Sequence, residues 1–143
     1  MPDSLIARDM FLSEASGRFA LGHVFRTSQE VEGASGAIAD DIGRWRCDII
    51  EGDQLTWSKK VYELFGLPAG KPVVREQAVR CYKEHSKSVL DRLRNDAIRH
   101  KCAFILDAAI EVTGKGTKWI RVLAVPILQG DRVIGLHGLK RAL

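Results

Sequence analysis

Three cysteines (Cys47, Cys81, Cys102), four histidines (His23, His85, His100, His137) and the charged trio Asp107, Glu111 and Arg121 are the side chains with chemistry to offer. The cysteines are odd in number and widely spaced, which suits reduced thiols in a cytoplasm better than a disulfide frame or a zinc site. Signatures of catalysis are missing. The sequence holds no Gly-x-Ser-x-Gly, no His-Glu-x-x-His, no phosphate-binding loop, no Cys-x-x-Cys and no Gly-x-Gly-x-x-Gly. Asp40 and Asp41 make a poor acid pair, because adjacent residues on a helix do not face one another. Arg121 stands among Ile120, Val122 and Leu123. It can pair with Asp107 or Glu111 across a hairpin at the edge of a sheet, the preferred reading, or grip a carboxylate if it faces a pocket.

Five aromatic residues, Trp45, Trp57, Phe65, Phe104 and Trp119, are candidates to line an apolar cavity or simply to fill a core. The basic residues Lys87, Arg92, Arg94, Arg99 and Lys101 could meet phosphates, but Asp91 and Asp96 interrupt them. That pattern reads as a mixed solvated helix face, so nucleic acid is not the expected partner.

These side chains are positioned by elements legible in the chain. The 143 residues, 45% of them hydrophobic, suffice for one domain with one core. No stretch approaches the roughly 20 apolar residues of a membrane span, and the acid-dotted N-terminus does not read as a secretory signal. Residues 1–42 carry a net charge of −4 and residues 43–143 a net +8, an acidic arm before a basic body. Leu5, Leu12 and Phe19 recur every seven residues, so 1–33 is expected to be an amphipathic helical arm, with Gly17 and Gly22 as sites of a break.

The body, 34–143, reads as strand, strand, helices and three longer strands. Gly43–Ile50 alternates Trp45, Cys47 and Ile49 with Arg44, Arg46 and Asp48. Gln54–Trp57 is a short strand, and Ser58 is placed to cap a helix through Phe65 that stops at Gly66. After a short helix at Arg75–Tyr82, Ser86 is expected to cap a longer one in which Val89, Leu90, Leu93 and Ala97 share a face. Strands at Cys102–Val112, Lys118–Leu128 and Arg132–Leu139 follow, joined by Gly-containing turns that make them antiparallel neighbours. The strand at 118–128 is apolar on both faces, so each face needs a cover. The helices supply one and the arm is available for the other, in its own molecule or across a homodimer. Leu5, Leu12, Phe19, Ile120 and Val122 are the candidate dimer contacts.

The ordered set of motifs resembles PAS domains of the third sequence subtype. Gly43-Arg-Trp45-Arg-Cys47-Asp48 is similar to the family's first strand, with Cys47 where a second Trp is usual. Leu55-Thr-Trp57-Ser58 and Val61-Tyr-Glu-Leu-Phe65-Gly66-Leu67 resemble its second strand and first helix. Lys115-Gly116-Thr-Lys118-Trp119-Ile120 and Ile134-Gly135-Leu-His-Gly138 resemble its two closing hairpins. The resemblance spans about 34–139 and departs before the long helix, at Glu84-His85-Ser86-Lys87, and after Gly138.

The expected fold is therefore α+β, with a five-stranded antiparallel sheet and helices on one face, as the resemblance implies, and the N-terminal helical arm read from its periodicity on the other. The resemblance also implies a pocket between sheet and helices, with Trp45, Cys47, Trp57, Phe65, Leu90, Leu93, Phe104, Trp119, Arg121 and His137 as candidate lining. Related domains use haem or flavin. Here Cys81 lacks the Gly-x-Asn context of a flavin-reactive cysteine, and an axial histidine would have to be found among four candidates, so no cofactor and no metal is expected.

The function implied is that of a cytoplasmic, bacterial-type sensory or adaptor module. It would bind a small molecule or a signalling partner and, with no output domain after Leu143, act in trans as a homodimer without catalysing a reaction. Two other readings stand beside it. One is a small pocketed isomerase-like enzyme with Asp107 or Glu111 as the buried acid. The other is a dimerising scaffold with no ligand.

Overall fold

The computed structural model describes residues 9–26 and 40–143. Six strands form one antiparallel sheet: β1 (His23–Phe25), β2 (Ile42–Asp48), β3 (Gln54–Trp57), β4 (Ala103–Val112), β5 (Gly116–Gln129) and β6 (Arg132–Ala142). Their spatial order is β1-β4-β5-β6-β2-β3. Three helices, α1 (Lys59–Phe65), α2 (Arg75–Arg80) and α3 (Glu84–His100), connect β3 to β4 and cover one face. The α+β class stands, with six strands rather than five. The added strand is β1, whose His23, Val24 and Phe25 pair with Ile105, Phe104 and Ala103.

That strand corrects the expected helical arm. Within 9–26 only residues 9–12 are helical, followed by turns and β1. The helix stops at Leu12, and beyond it Gly17 (φ 76°) and Gly22 (φ 85°), the expected sites of a break, adopt left-handed backbone that does not continue a helix. The carbonyls a helix would have used internally are taken by arginines of the sheet. Arg121 donates to the carbonyls of Met10 (2.8 Å), Ser13 (2.6 Å) and Ala15 (2.8 Å). Arg141 donates to those of Phe11 (2.9 Å) and Ser13 (3.1 Å).

Alternation along the strands creates two cores. On the inner face Phe104, Leu106, Ala108, Ile110, Ile120, Val122, Ala124 and Leu136 meet Val61 and Phe65 of α1 and Val89, Leu93 and Ala97 of α3. On the outer face Phe11, Phe19 and Phe25 of the arm close over Ile42, Ala103, Ile105, Leu123, Val125 and Leu139. The arm therefore covers the sheet of its own chain. Burying such side chains is worth ~1.5–3 kcal/mol each, enough to hold a segment with little regular structure.

Two capping expectations are also corrected. Ser58 occupies the N-cap position of α1, but its Oγ makes no cap bond and instead accepts from the Arg44 amide at 2.9 Å. The long helix starts at Glu84, so Ser86 lies inside it, buried, with its Oγ accepting from the Ala109 amide at 2.9 Å. Both hydroxyls tie a helix start to a strand. Gly138 allows β6 to pass closely over β5. A Cβ there would collide with the Leu123 carbonyl oxygen, which accepts from Trp45 Nε1 at 3.2 Å.

Candidate functional site

Between the inner sheet face and α2 and α3 lies a cavity of about 60 Å³. β2 gives it Trp45 and Cys47, and β3 gives Leu55 and Trp57, because period-two alternation turns these residues toward the helices. The helices add Arg75, Ala78 and Val79 from α2 and Leu90 and Arg94 from α3, with Tyr82 between them. Phe104, Val122, Leu136 and Lys140 complete the floor.

The sequence-predicted pocket residues divide three ways. Trp45, Cys47, Trp57, Leu90 and Phe104 line the cavity. Phe65 and Leu93 pack in the adjoining core, Phe65 stacked on Trp57 with ring centroids 4.8 Å apart. Trp119, Arg121 and His137 lie elsewhere. Trp119 is part-exposed beside Lys60 and Leu64 at one end of the sheet. His137 is the cross-strand neighbour of Arg46, itself opposite Thr56, so these three share the outer face.

Arg121 is fully buried on the outer face, in the middle of the sheet rather than at its edge. Its Nε and Nη2 donate to Asp107 Oδ1 (2.6 Å) and Oδ2 (2.9 Å) on β4. The Phe19 ring lies 4.9 Å from the guanidinium, and the Phe19 amide donates to Asp107 Oδ2 at 3.1 Å. This bidentate pair with its carbonyl acceptors anchors the arm. Of the candidate dimer contacts, Leu5 lies outside the described residues. Phe19 is buried under its own arm, and Ile120 and Val122 are buried in the inner core, so none of these three offers a surface to a second copy. Leu12 is 44% exposed.

Lys140 was not foreseen and is the most unusual group of the cavity. It is 6% exposed. Its Nζ sits 4.8 Å from the Phe65 ring centroid, 5.1 Å from Trp45, 5.6 Å from Trp57 and 5.8 Å from Tyr82. It donates to Tyr82 Oη at 3.2 Å. Among the described residues no Asp or Glu lines the cavity. Burial lowers the ammonium of Lys140 to about 7, with Cys81 and Cys47 acting in the opposite direction. Burial also raises the thiols of Cys47 and Cys81 and the phenol of Tyr82 above their ordinary values. The expected strand stops at Leu139, one residue before Lys140, whereas β6 runs on to Ala142. Extending the alternation of Leu136 and Gly138 by one step puts Lys140 on the inner face.

The acids named for an enzyme lie away from this cavity. Asp107 is engaged by Arg121 on the outer face, and Glu111 is exposed, its carboxyl held below the usual range by hydrogen bonds from Lys83 and Thr117. The cavity residues do not fit haem or flavin. None of the four histidines lines the cavity, and the space between the side chains admits only a few heavy atoms. No group of His, Cys, Asp and Glu among the described residues is arranged to hold a metal ion. Among the same residues no helix is long and apolar enough to cross a membrane.

No family model matches this chain, and no curated protein matches it. Solved structures do. The N-terminal domain of a diguanylate cyclase with a PAS/PAC sensor from Marinobacter aquaeolei superposes with a TM-score of 0.63 at 13% identity, covering 71% of this chain and 94% of that one. A domain of a putative light and redox sensing histidine kinase from Haloarcula marismortui gives 0.63 at 9% identity over 80% of this chain and 98% of that one. The PAS domain of a Colwellia psychrerythraea protein gives 0.60 at 13% identity, with 80% and 94% covered. At such identities the likeness speaks for architecture, and it agrees with the sheet and the helices described above: the chain has the PAS fold.

Proposed function

We propose that this chain is a sensory module of signal transduction that takes a small ligand into the cavity between β2, β3, α2 and α3. The carrying observation is the cavity itself. Its walls are mostly aromatic and aliphatic, with Arg75 and Arg94 among them, and one buried amine sits in the cage of rings. Sites for small molecules have this composition, an apolar lining with few polar groups that orient the guest. A ligand there touches both the helices and the inner sheet face. It would shift the packing of sheet and arm in proportion to its differential affinity for two states.

The protein partner expected from the sequence, or a second copy, would meet the arm's outer surface, where Leu12, Leu21 and Val24 are 44%, 67% and 46% exposed. The cytoplasmic setting is part of the same proposal and rests on the three free cysteines.

The test is native mass spectrometry of protein purified from cells. Extra mass that leaves on denaturation supports the reading. An empty cavity that no small-molecule library stabilises against heat would favour a scaffold without ligand.

A further inference from the structure

Building on the ligand-binding reading of the cavity, we propose that its ligand is a small aldehyde or ketone, held by Lys140 as an imine. The polar groups around the amine favour a carbonyl compound. From α2 and α3 come Arg75 and Arg94, each with its own carboxylate: Asp91 at 3.6 Å and Asp53 at 2.7 Å. Between those helices Tyr82 accepts from Nζ, and Cys81 and Cys47 act on the amine electrostatically. Among the described residues no Asp or Glu lines the space. The amine therefore lacks the counter-ion that keeps a buried lysine charged, and desolvation brings its ammonium to about 7. A neutral amine in an apolar pocket is the nucleophilic form of lysine.

A second observation comes from Trp57. It lines the same cavity, and its indole N–H is buried with no acceptor among the described residues. A carbonyl oxygen, or the hydroxyl it becomes, would supply one. The Nζ lone pair adds to the carbonyl carbon, and a proton passes from nitrogen to oxygen to give a carbinolamine. Loss of the hydroxyl with a second nitrogen-bound hydrogen, as water, leaves the C=N bond. The sum is amine plus carbonyl giving imine plus water. When protonated, the imine keeps its charge among the rings of Phe65, Trp45, Trp57 and Tyr82, where a cation is favoured.

The volume of about 60 Å³ limits the guest to a few heavy atoms. A neutral carbonyl compound also enters an apolar site without the desolvation cost of a carboxylate. Leu55, Val79 and Leu90 of the lining are half-buried rather than sealed in the core.

The experiment exposes the full chain at pH 7 to propanal with sodium cyanoborohydride, which reduces an imine to a stable propylamine. Peptide mapping locates the propyl group, and tryptophan fluorescence is followed in parallel without reductant. The expected result is labelling of Lys140 at least ~10-fold faster than exposed Lys59 and Lys115. An ordinary lysine is neutral at pH 7 in only about four molecules in ten thousand, against about half for a group titrating near 7. Labelling of Lys140 no faster than those surface lysines overturns the proposal. If fluorescence then still shows saturable quenching by propanal, the imine is wrong and the cavity still binds. If there is neither labelling nor quenching, the cavity reading loses its support for this ligand class as well.

Discussion

Lys140 imposes a stability cost that pH should reveal. In the unfolded chain its ammonium titrates near 10.4, as a free lysine does. In the folded chain burial brings it to about 7. Between these values the unfolded state holds a proton that the folded state lacks, so this residue makes stability rise with pH across that window. Below about 7 both states are protonated and the full cost of burying the charge is present. Lys140→Met keeps the length and removes the charge. At pH 7 we expect it to raise unfolding free energy by ~2–4 kcal/mol, less than the whole shift implies, because the ring faces compensate part of the ammonium. The gain should shrink toward zero by about pH 10. Urea titrations of both proteins across this range measure it. A gap that does not change with pH would mean the amine is not desolvated as its burial implies.

Asp107 and Arg121 are a buried ion pair that organises the molecule, both 0% exposed. Asp107→Ala leaves a guanidinium without its carboxylate in the outer core and should cost ~3–5 kcal/mol. Asp107→Leu combined with Arg121→Met replaces both charges with apolar groups and should recover part of that loss. Recovery will be incomplete, because the carbonyls of Met10, Ser13 and Ala15 lose a donor. Denaturant midpoints of the three proteins decide this. A double variant no more stable than the single would show that the pair matters for more than compensating charge.

At the scale of elements, β6 crosses β5 with Gly138 at the point of closest approach. Gly138→Ala forces apart the strands that Trp45 Nε1 bridges through the Leu123 carbonyl. A loss of ~1–3 kcal/mol is expected in thermal or urea unfolding, with the Trp45 fluorescence altered. An unchanged midpoint would mean the strands separate at no cost.

These elements were legible in proportion to how local their signals are. Trp45 and Cys47 alternate with Arg44 and Arg46, and Gly66 follows Phe65, so β2 and the end of α1 could be read directly. The arm misled because Leu5, Leu12 and Phe19 repeat at a helical interval. What decided its path was nonlocal: Arg121 and Arg141, more than a hundred residues later, bind its carbonyls. The site was half legible for the same reason. Aromatic residues in a strand point to a pocket wall, but a charged residue at the end of an amphipathic strand reads as solvated. Lys140 is buried only because Trp45, Phe65 and Tyr82 arrive from three other segments.

At the scale of the whole molecule, the arm matters most for what it covers. Ile42, Ile105, Leu123, Val125 and Leu139 form a continuous apolar outer face, closed in this chain by Phe11, Phe19 and Phe25. A sheet face of that kind left bare seeks a cover. Deleting residues 1–22 removes Phe11 and Phe19 and leaves Arg121 without its carbonyl acceptors. The shortened chain should self-associate in sedimentation velocity, its mean mass rising with concentration, while the full chain measured alongside does so far less. The converse, a full-length dimer that becomes monomeric on deletion, would place the dimer contact on the arm itself. A shortened chain that stays monomeric and as stable as the full one would show that the outer face needs no cover.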